Sequence, residues 1–246
     1  MKALLLAAGY GTRLYPLTKN MPKPLLRVGK KPIAERIIEK LLPVKQIDTI
    51  YIVTNARFAD QFEDWVKTYK CGRKIEVIND GTLSNEDRLG AVGDINYVIN
   101  TAKINDDLLI VAGDNLIDFE VNNFVKFSDK NGSCIALKDM AGTDPKLISQ
   151  YSIVTLDDNR KLIDFEEKPP NPKTSLISIC MYLFRKNHLK LLKKYLELSK
   201  NPDAPGYYIQ WLHKEIDLYG YIISGMWYDI GDIDSYTKAC ENLEGK

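Results

Sequence analysis

Seven basic side chains and no acidic one fall within the first 34 residues: Lys2, Arg13, Lys19, Lys23, Arg27, Lys30 and Lys31, set among glycines and prolines. The chain as a whole is balanced, with 34 Lys and Arg against 33 Asp and Glu, so everything after this segment is acidic on balance. Positive charge gathered on one glycine-rich stretch suits a small polyphosphate, whereas a nucleic acid calls for a broader basic face. Gly9 and Gly11 let backbone N–H groups approach an anion, and Lys23 stands between Pro22 and Pro24, which restrict the backbone that carries it. An ordinary solvated start to an α/β domain is the competing reading. A dinucleotide-binding motif is excluded, because Leu14 stands in place of the third glycine and no acidic residue follows about 20 positions on. The Lys-Ser/Thr pair of a Walker loop is missing too.

Further along, Gly113-Asp114-Asn115 follows the apolar run 108–112, at the strand end where open α/β sheets place ligands, and Trp227-Tyr228-Asp229-Ile230-Gly231-Asp232 carries two more carboxylates. Taken singly, each is as readily a turn or a helix N-cap, with Asp232 as the cap. The two histidines, His188 and His213, sit in helical surroundings and offer no general-base constellation. Cys71, Cys134, Cys180 and Cys240 are widely spaced, which speaks against a disulfide framework or zinc site and for reduced thiols in a cytoplasmic protein. No apolar run nears the ~20 residues of a membrane span, and no signal-peptide layout opens the chain.

The elements that must hold these residues follow from hydropathy. Residues 2–8 form a continuously apolar run suited to a strand buried on both faces. A loop over 9–31 follows, then Pro32 as a first helical residue and a helix over 33–42. Strands are expected at 49–54, 74–78, 108–112 and 133–138, and helices at 60–69, 91–100 and 121–131, with a polar loop over 79–90. This alternation implies right-handed crossovers and an α/β three-layer sandwich around a mainly parallel, Rossmann-like mixed sheet. Beyond residue 139 a hairpin (151–156 and 162–166) and a strand (175–184) predict a smaller antiparallel extension. Helices at 188–198, 208–218 and 235–242 and a strand at 220–224 complete a single domain, 1–246, in two halves, 1–139 and 140–246.

Residues 7–32 resemble the signature of the sugar-1-phosphate nucleotidylyltransferases, AAGxGTRLxPLTxxxPKPLLxVxxKP, almost without a gap. Gly113-Asp114-Asn115, Glu167-Lys168-Pro169 and the Trp227–Asp232 stretch resemble its later motifs, in the expected order. The resemblance implies condensation of a nucleoside triphosphate with a sugar 1-phosphate, releasing pyrophosphate, with dTTP or UTP the first choice of donor. It makes 1–139 the nucleotide-binding half and 140–246 the sugar-phosphate-binding half, and assigns Ala8, Gly9, Gly11, Thr12, Arg13, Lys23, Arg88, Gly90 and Asp114 to the nucleotide. Asn115, Ser152, Glu167, Lys168, Tyr182 and Trp227 fall to the sugar phosphate, Arg13, Lys23 and Asp114 to catalysis, and Asp114 and Asp229 to Mg²⁺. No nucleic acid or membrane partner is implied, and a homo-oligomer is left open. Because the phosphate monoester loses its second proton near pH ~6, its oxygen needs no general base.

Three departures bear on substrate. Gly93 stands where thymidylyl and uridylyl enzymes often carry glutamine, which leaves cytidylyl or guanylyl transfer as an alternative. Ser152 and Cys180 stand where relatives commonly have glycine, which points toward another sugar, inositol or small alcohol phosphate. The chain also lacks an appended β-helix segment after the last motif, so acetyl transfer is not expected. The rival of another class is a non-catalytic subunit that senses nucleotide or sugar phosphate.

Overall fold

Alternate side chains along each central strand pack into different cores, and this period of two decides the layers. The computed structural model describes residues 1–198 and 200–243. Its strands are β1 (Lys2–Leu6), β2 (Arg27–Val28), β3 (Lys31–Pro32), β4 (Thr49–Thr54), β5 (Lys74–Asn79), β6 (Leu108–Ala112), β7 (Asn115–Ile117), β8 (Cys134–Asp139), β9 (Ile153–Leu156), β10 (Leu162–Glu166), β11 (Leu176–Phe184), β12 (Tyr219–Ile222) and β13 (Trp227–Asp229). The helices are α1 (Ile33–Leu41), α2 (Ala59–Thr68), α3 (Gly90–Thr101), α4 (Val121–Asn131), α5 (Pro145–Ile148), α6 (Lys190–Glu197), α7 (Pro205–Glu215) and α8 (Ile233–Leu243).

β6, β1, β4 and β5 pair parallel in that order, and β11 joins β6 antiparallel. β11 then carries β8 and the β9–β10 hairpin, and β12 runs parallel to β8, giving one mixed sheet of nine strands. Ala3, Leu5, Ile50, Ile52, Leu109 and Val111 face α1, α2, α4 and α8, against Ile37, Phe62, Phe124 and Ala239. Leu4, Tyr51, Val53, Leu108 and Ile110 face the other way, toward Val92, Ile95 and Val98 of α3, Leu192 of α6 and Leu212 of α7. Every residue of β4 and β6 is buried, as the continuous apolar runs require. The three-layer α/β sandwich with its antiparallel extension is therefore observed.

Several boundaries differ from the sequence expectation for physical reasons. Pro32 is not helical: it ends a small hairpin of β2 and β3, turned by Gly29 at φ 61°, and α1 begins one residue later. α7 starts at Pro205 rather than at residue 208, since proline at a helix start gives up no needed donor; it stops before Ile216, whose backbone is extended. α8 begins at Ile233, because Asp232 Oδ1 accepts from Ser235 N at 2.8 Å and caps it. Two short 3₁₀ turns, Thr12–Leu14 and Lys23–Leu25, occupy the expected basic loop. β11 is not a uniform strand: its register with β8 shifts between Ser178 and Tyr182, where Cys180 adopts a left-handed φ of 52°.

Candidate active site

The basic loop leaves the carboxyl end of β1 and is braced from beneath. Asn55, just past β4, donates Nδ2 to Ala8 O at 2.8 Å. Gly11, at φ 60°, turns the chain so that its carbonyl accepts both Leu14 N at 2.9 Å and the Thr18 hydroxyl at 2.6 Å. Gly9, Thr12 and Arg13 remain exposed on the loop, while Ala8 and Tyr10 are buried. The turn Lys23–Leu25 aims the Lys23 ammonium inward, onto Asp114 Oδ2 at 2.6 Å and Ile230 O at 3.1 Å.

Asp114 and Asp229 meet through a two-stranded ribbon. β7 and β13 run antiparallel with Asn115 opposite Asp229, and Ile230 N donates to Asp114 O at 3.0 Å. Gly113 sits so near Leu6 O and Pro24 Cγ that a Cβ there has no room, and this locks the ribbon against β1 and the basic loop. Gly231 lies beside both groups: the Arg13 guanidinium nitrogens are 3.7 and 3.8 Å, and Asp229 Oδ2 3.9 Å, from where its Cβ would stand, ordinary contact distances. Burial, and next the charge of Asp114, push the Asp229 carboxyl up to about 6, against the opposing pull of Lys23, Arg13 and Lys168. Two carboxylates that repel each other, ringed by three cations, form a fitting donor set for a hard divalent ion whose remaining ligands are phosphate oxygens and water. Among the described residues no cluster of three or more His, Cys, Asp or Glu side chains suited to a metal is gathered.

The second half of the chain supplies the far wall. Lys168, exposed and at a left-handed φ of 45°, follows β10. Beside it, Glu167 Oε2 accepts from the Ser152 hydroxyl, and both crowd the position that a side chain on Gly206 would fill. Asn115 is buried and donates Nδ2 to Ile179 O, which holds the β11 bulge in place. The Trp227 indole N–H has no partner among the described residues, and its ring meets Tyr151 edge-on with centroids 5.3 Å apart. Tyr182 lies in the core, 2% exposed and stacked on Phe184.

The residues expected at the nucleobase are held differently. Arg88 makes a two-pronged ion pair with Asp203, with Nε–Oδ1 and Nη2–Oδ2 both at 2.9 Å. Gly90, at φ 77°, lets the backbone at Pro202 and Asp203 lie on the first turn of α3. Sequence reasoning missed a buried acid pair nearby. Asp80 and Asp94 are 8% and 7% exposed, and Asp80 Oδ2 and Asp94 Oδ1 each lack a donor among the described residues. Burial, reinforced by the Asp80 charge, pushes the Asp94 carboxyl up to about 8, so Asp94 keeps its proton at neutral pH. Asp80 Oδ1 holds Thr82 through its N–H at 2.7 Å and its hydroxyl at 2.8 Å, and Thr82 Oγ1 lies 3.2 Å from the Tyr10 hydroxyl. The signal for this chain of contacts was a lone carboxylate inside the apolar stretch of α3.

Comparison with known proteins bears on this geometry. The nucleotidyl transferase family pattern matches residues 2–246. The chain is 30% identical over 250 residues to the bifunctional protein GlmU of Methanococcus aeolicus, covering 99% of this chain and 56% of that one. It is 28% identical over 252 residues to a UTP–glucose-1-phosphate uridylyltransferase of Synechocystis, covering 99% and 63%. The chain thus spans about half to three-fifths of the length of the curated relatives it matches. A solved UDP-glucose pyrophosphorylase complexed with UDP-glucose shares the fold, with TM-score 0.81 and 19% identity over 98% of this chain and 97% of that one. No helix among the described residues is long and apolar enough to cross a membrane.

Proposed function

The chain belongs to the nucleotidyl transferase family, and from that premise we propose that it condenses a nucleoside triphosphate with a sugar 1-phosphate, giving a nucleotide sugar and pyrophosphate. The observation that carries the reading is the convergence of the Lys23 ammonium, the Arg13 guanidinium and the Asp114 and Asp229 carboxylates where β1, β7 and β13 meet. A phosphate oxygen of the acceptor attacks the α-phosphorus; the bond to the β-phosphate bridging oxygen breaks, and the electron pair leaves with pyrophosphate. Two anions must approach while a third departs, so cation placement supplies most of the catalysis. Lys23 neutralises the α-phosphate, Arg13 takes the β/γ portion that departs, and Lys168 holds the acceptor phosphate. Asp114 and Asp229 would hold Mg²⁺, which supplies charge neutralisation across the phosphates when bound. Glu167 faces the acceptor hydroxyls, and Trp227 offers an unpaired N–H nearby.

The uridylyltransferase among its relatives supports dTTP or UTP as the donor of first choice. Retention of all three cations beside both aspartates speaks for catalysis over a sensing role. The test is pyrophosphate release across five triphosphates and a panel of sugar, inositol and alcohol phosphates. Turnover confined to a sugar 1-phosphate with UTP or dTTP is expected, and silence across the whole matrix would overturn the proposal.

A further inference from the structure

Arg88 has little left to offer a ligand directly. Nε and Nη2 are engaged by Asp203, and Nη1 donates to Asn85 O. The bond to Asn85 closes a segment that is already folded on itself, since Asp87 accepts from Leu83 N at 3.0 Å, Ser84 N at 2.8 Å and the Ser84 hydroxyl at 3.1 Å. Asp203 is equally well anchored. Its N–H donates to Asn201 Oδ1 at 2.8 Å, and Asn201 O accepts from the Tyr195 hydroxyl of α6 at 2.9 Å. The neighbouring backbone caps α3: Pro202 O accepts Val92 N at 2.9 Å, and a Cβ on Gly90 would fall 2.6 Å from that same carbonyl. Three residues on, Gly206 abuts Glu167 and lies within 2.7 Å of the Ser152 hydroxyl, measured from its missing Cβ. One short stretch, residues 202–206, therefore touches the loop before α3 at one end and the acceptor wall at the other. Lys168 lies within the field of Asp203 as well.

We propose that Asp203 is a positioning residue for the nucleoside triphosphate, holding Arg88 and the 81–88 segment against the start of α3 so that the nucleobase meets a formed surface. The consequence for binding rests on the nucleotidyl-transfer reading; the latch itself rests on geometry alone. The pair is exposed, Arg88 by 40% and Asp203 by 51%, so its loss leaves the global fold intact. Its two parallel charge-assisted bonds act locally, on the segment that they pin.

Two measurements on the full chain decide the matter. Hydrogen exchange without ligand reads the Leu83 and Ser84 amides, which Asp87 holds. Calorimetric titration reads UTP and dTTP with Mg²⁺. In Asp203→Asn those amides are expected to exchange at least about threefold faster and the triphosphate to bind about three- to tenfold more weakly, with the acceptor KM within about twofold. Asp203→Glu, which keeps the charge, is expected to recover most of both effects. The effect of Asp203→Asn should vanish in an Arg88→Ala background. Unchanged amides and affinity in Asp203→Asn, or an equal effect with Arg88 absent, would overturn the latch. A wild-type chain that binds no triphosphate would overturn the functional reading instead, and the amide exchange still reads the latch by itself.

Discussion

Replacing Asp94 with asparagine should flatten the pH dependence of stability in a defined window. In the native protein the Asp94 carboxyl is held near 8 by burial and by Asp80, against an ordinary value of 3.8. Its folded value is raised, so its stabilising contribution is complete below the ordinary value and is lost as pH rises through about 8. Across most of that window the unfolded chain has released the proton and the folded chain has not, which costs about 1.4 kcal/mol per pH unit. Between pH 5.5 and 7.5 the group alone should therefore remove about 2–3 kcal/mol of unfolding free energy. The asparagine amide introduced there keeps the size of the protonated acid, and it never ionises. Urea unfolding of both proteins at the two pH values isolates the effect, because Asp229, His188 and His213 titrate in both. The expected result is a loss for wild type that exceeds the loss for Asp94→Asn by about 2–3 kcal/mol. Parallel changes in the two proteins would show that Asp94 is ionised in the fold, and the raised Asp94 carboxyl would be wrong.

Five other substitutions probe the remaining contacts. Lys23→Ala should cut turnover by about 10²- to 10³-fold while weakening sugar phosphate binding far less; steady-state kinetics showing the reverse would move Lys23 to the acceptor. Asp114→Asn and Asp229→Asn should each abolish most Mg²⁺-dependent turnover, and near wild-type rates in both would refute the metal assignment. Gly113→Ala drives a methyl into Leu6 O and should cost about 2 kcal/mol or more in thermal or chemical unfolding. Thr18→Val removes the hydroxyl that braces Gly11 O at 2.6 Å, and should cost about 1 kcal/mol and raise the nucleotide KM.

Much of the scaffold could be read from residue patterns. The runs over β1, β4 and β6 are apolar without interruption because both sheet faces are covered, and they appeared as strands for that reason. Asp114 was visible as the carboxylate following such a run. Asp229 was not, except by resemblance, because β13 is three residues long and its partner β7 equally short, too brief to leave a period. The same holds for the Asp80–Asp94 pair and for Arg88–Asp203, which bring together residues from separate elements. Cys180 stood out as a departure from glycine, but only the backbone reveals that its position is left-handed, the conformation glycine tolerates best. Ser152 stood out likewise, and its hydroxyl proves to be engaged on Glu167.

The ribbon of β7 and β13 has a consequence for when activity can exist at all. Its two aspartates come from distant parts of the chain and are joined by only three paired residues on each side. Peeling β13 and α8 away would cost far less than opening the nine-stranded sheet; it would separate the carboxylates and strip the basic loop of the Lys23 bond to Ile230 O and the Tyr236 bond to Arg27 O, while β1 stays paired with β4 and β6. On the proposed reaction, a nascent chain whose β13 has not yet docked would carry the basic loop without the second carboxylate, so closure of this ribbon would be the step that completes the site.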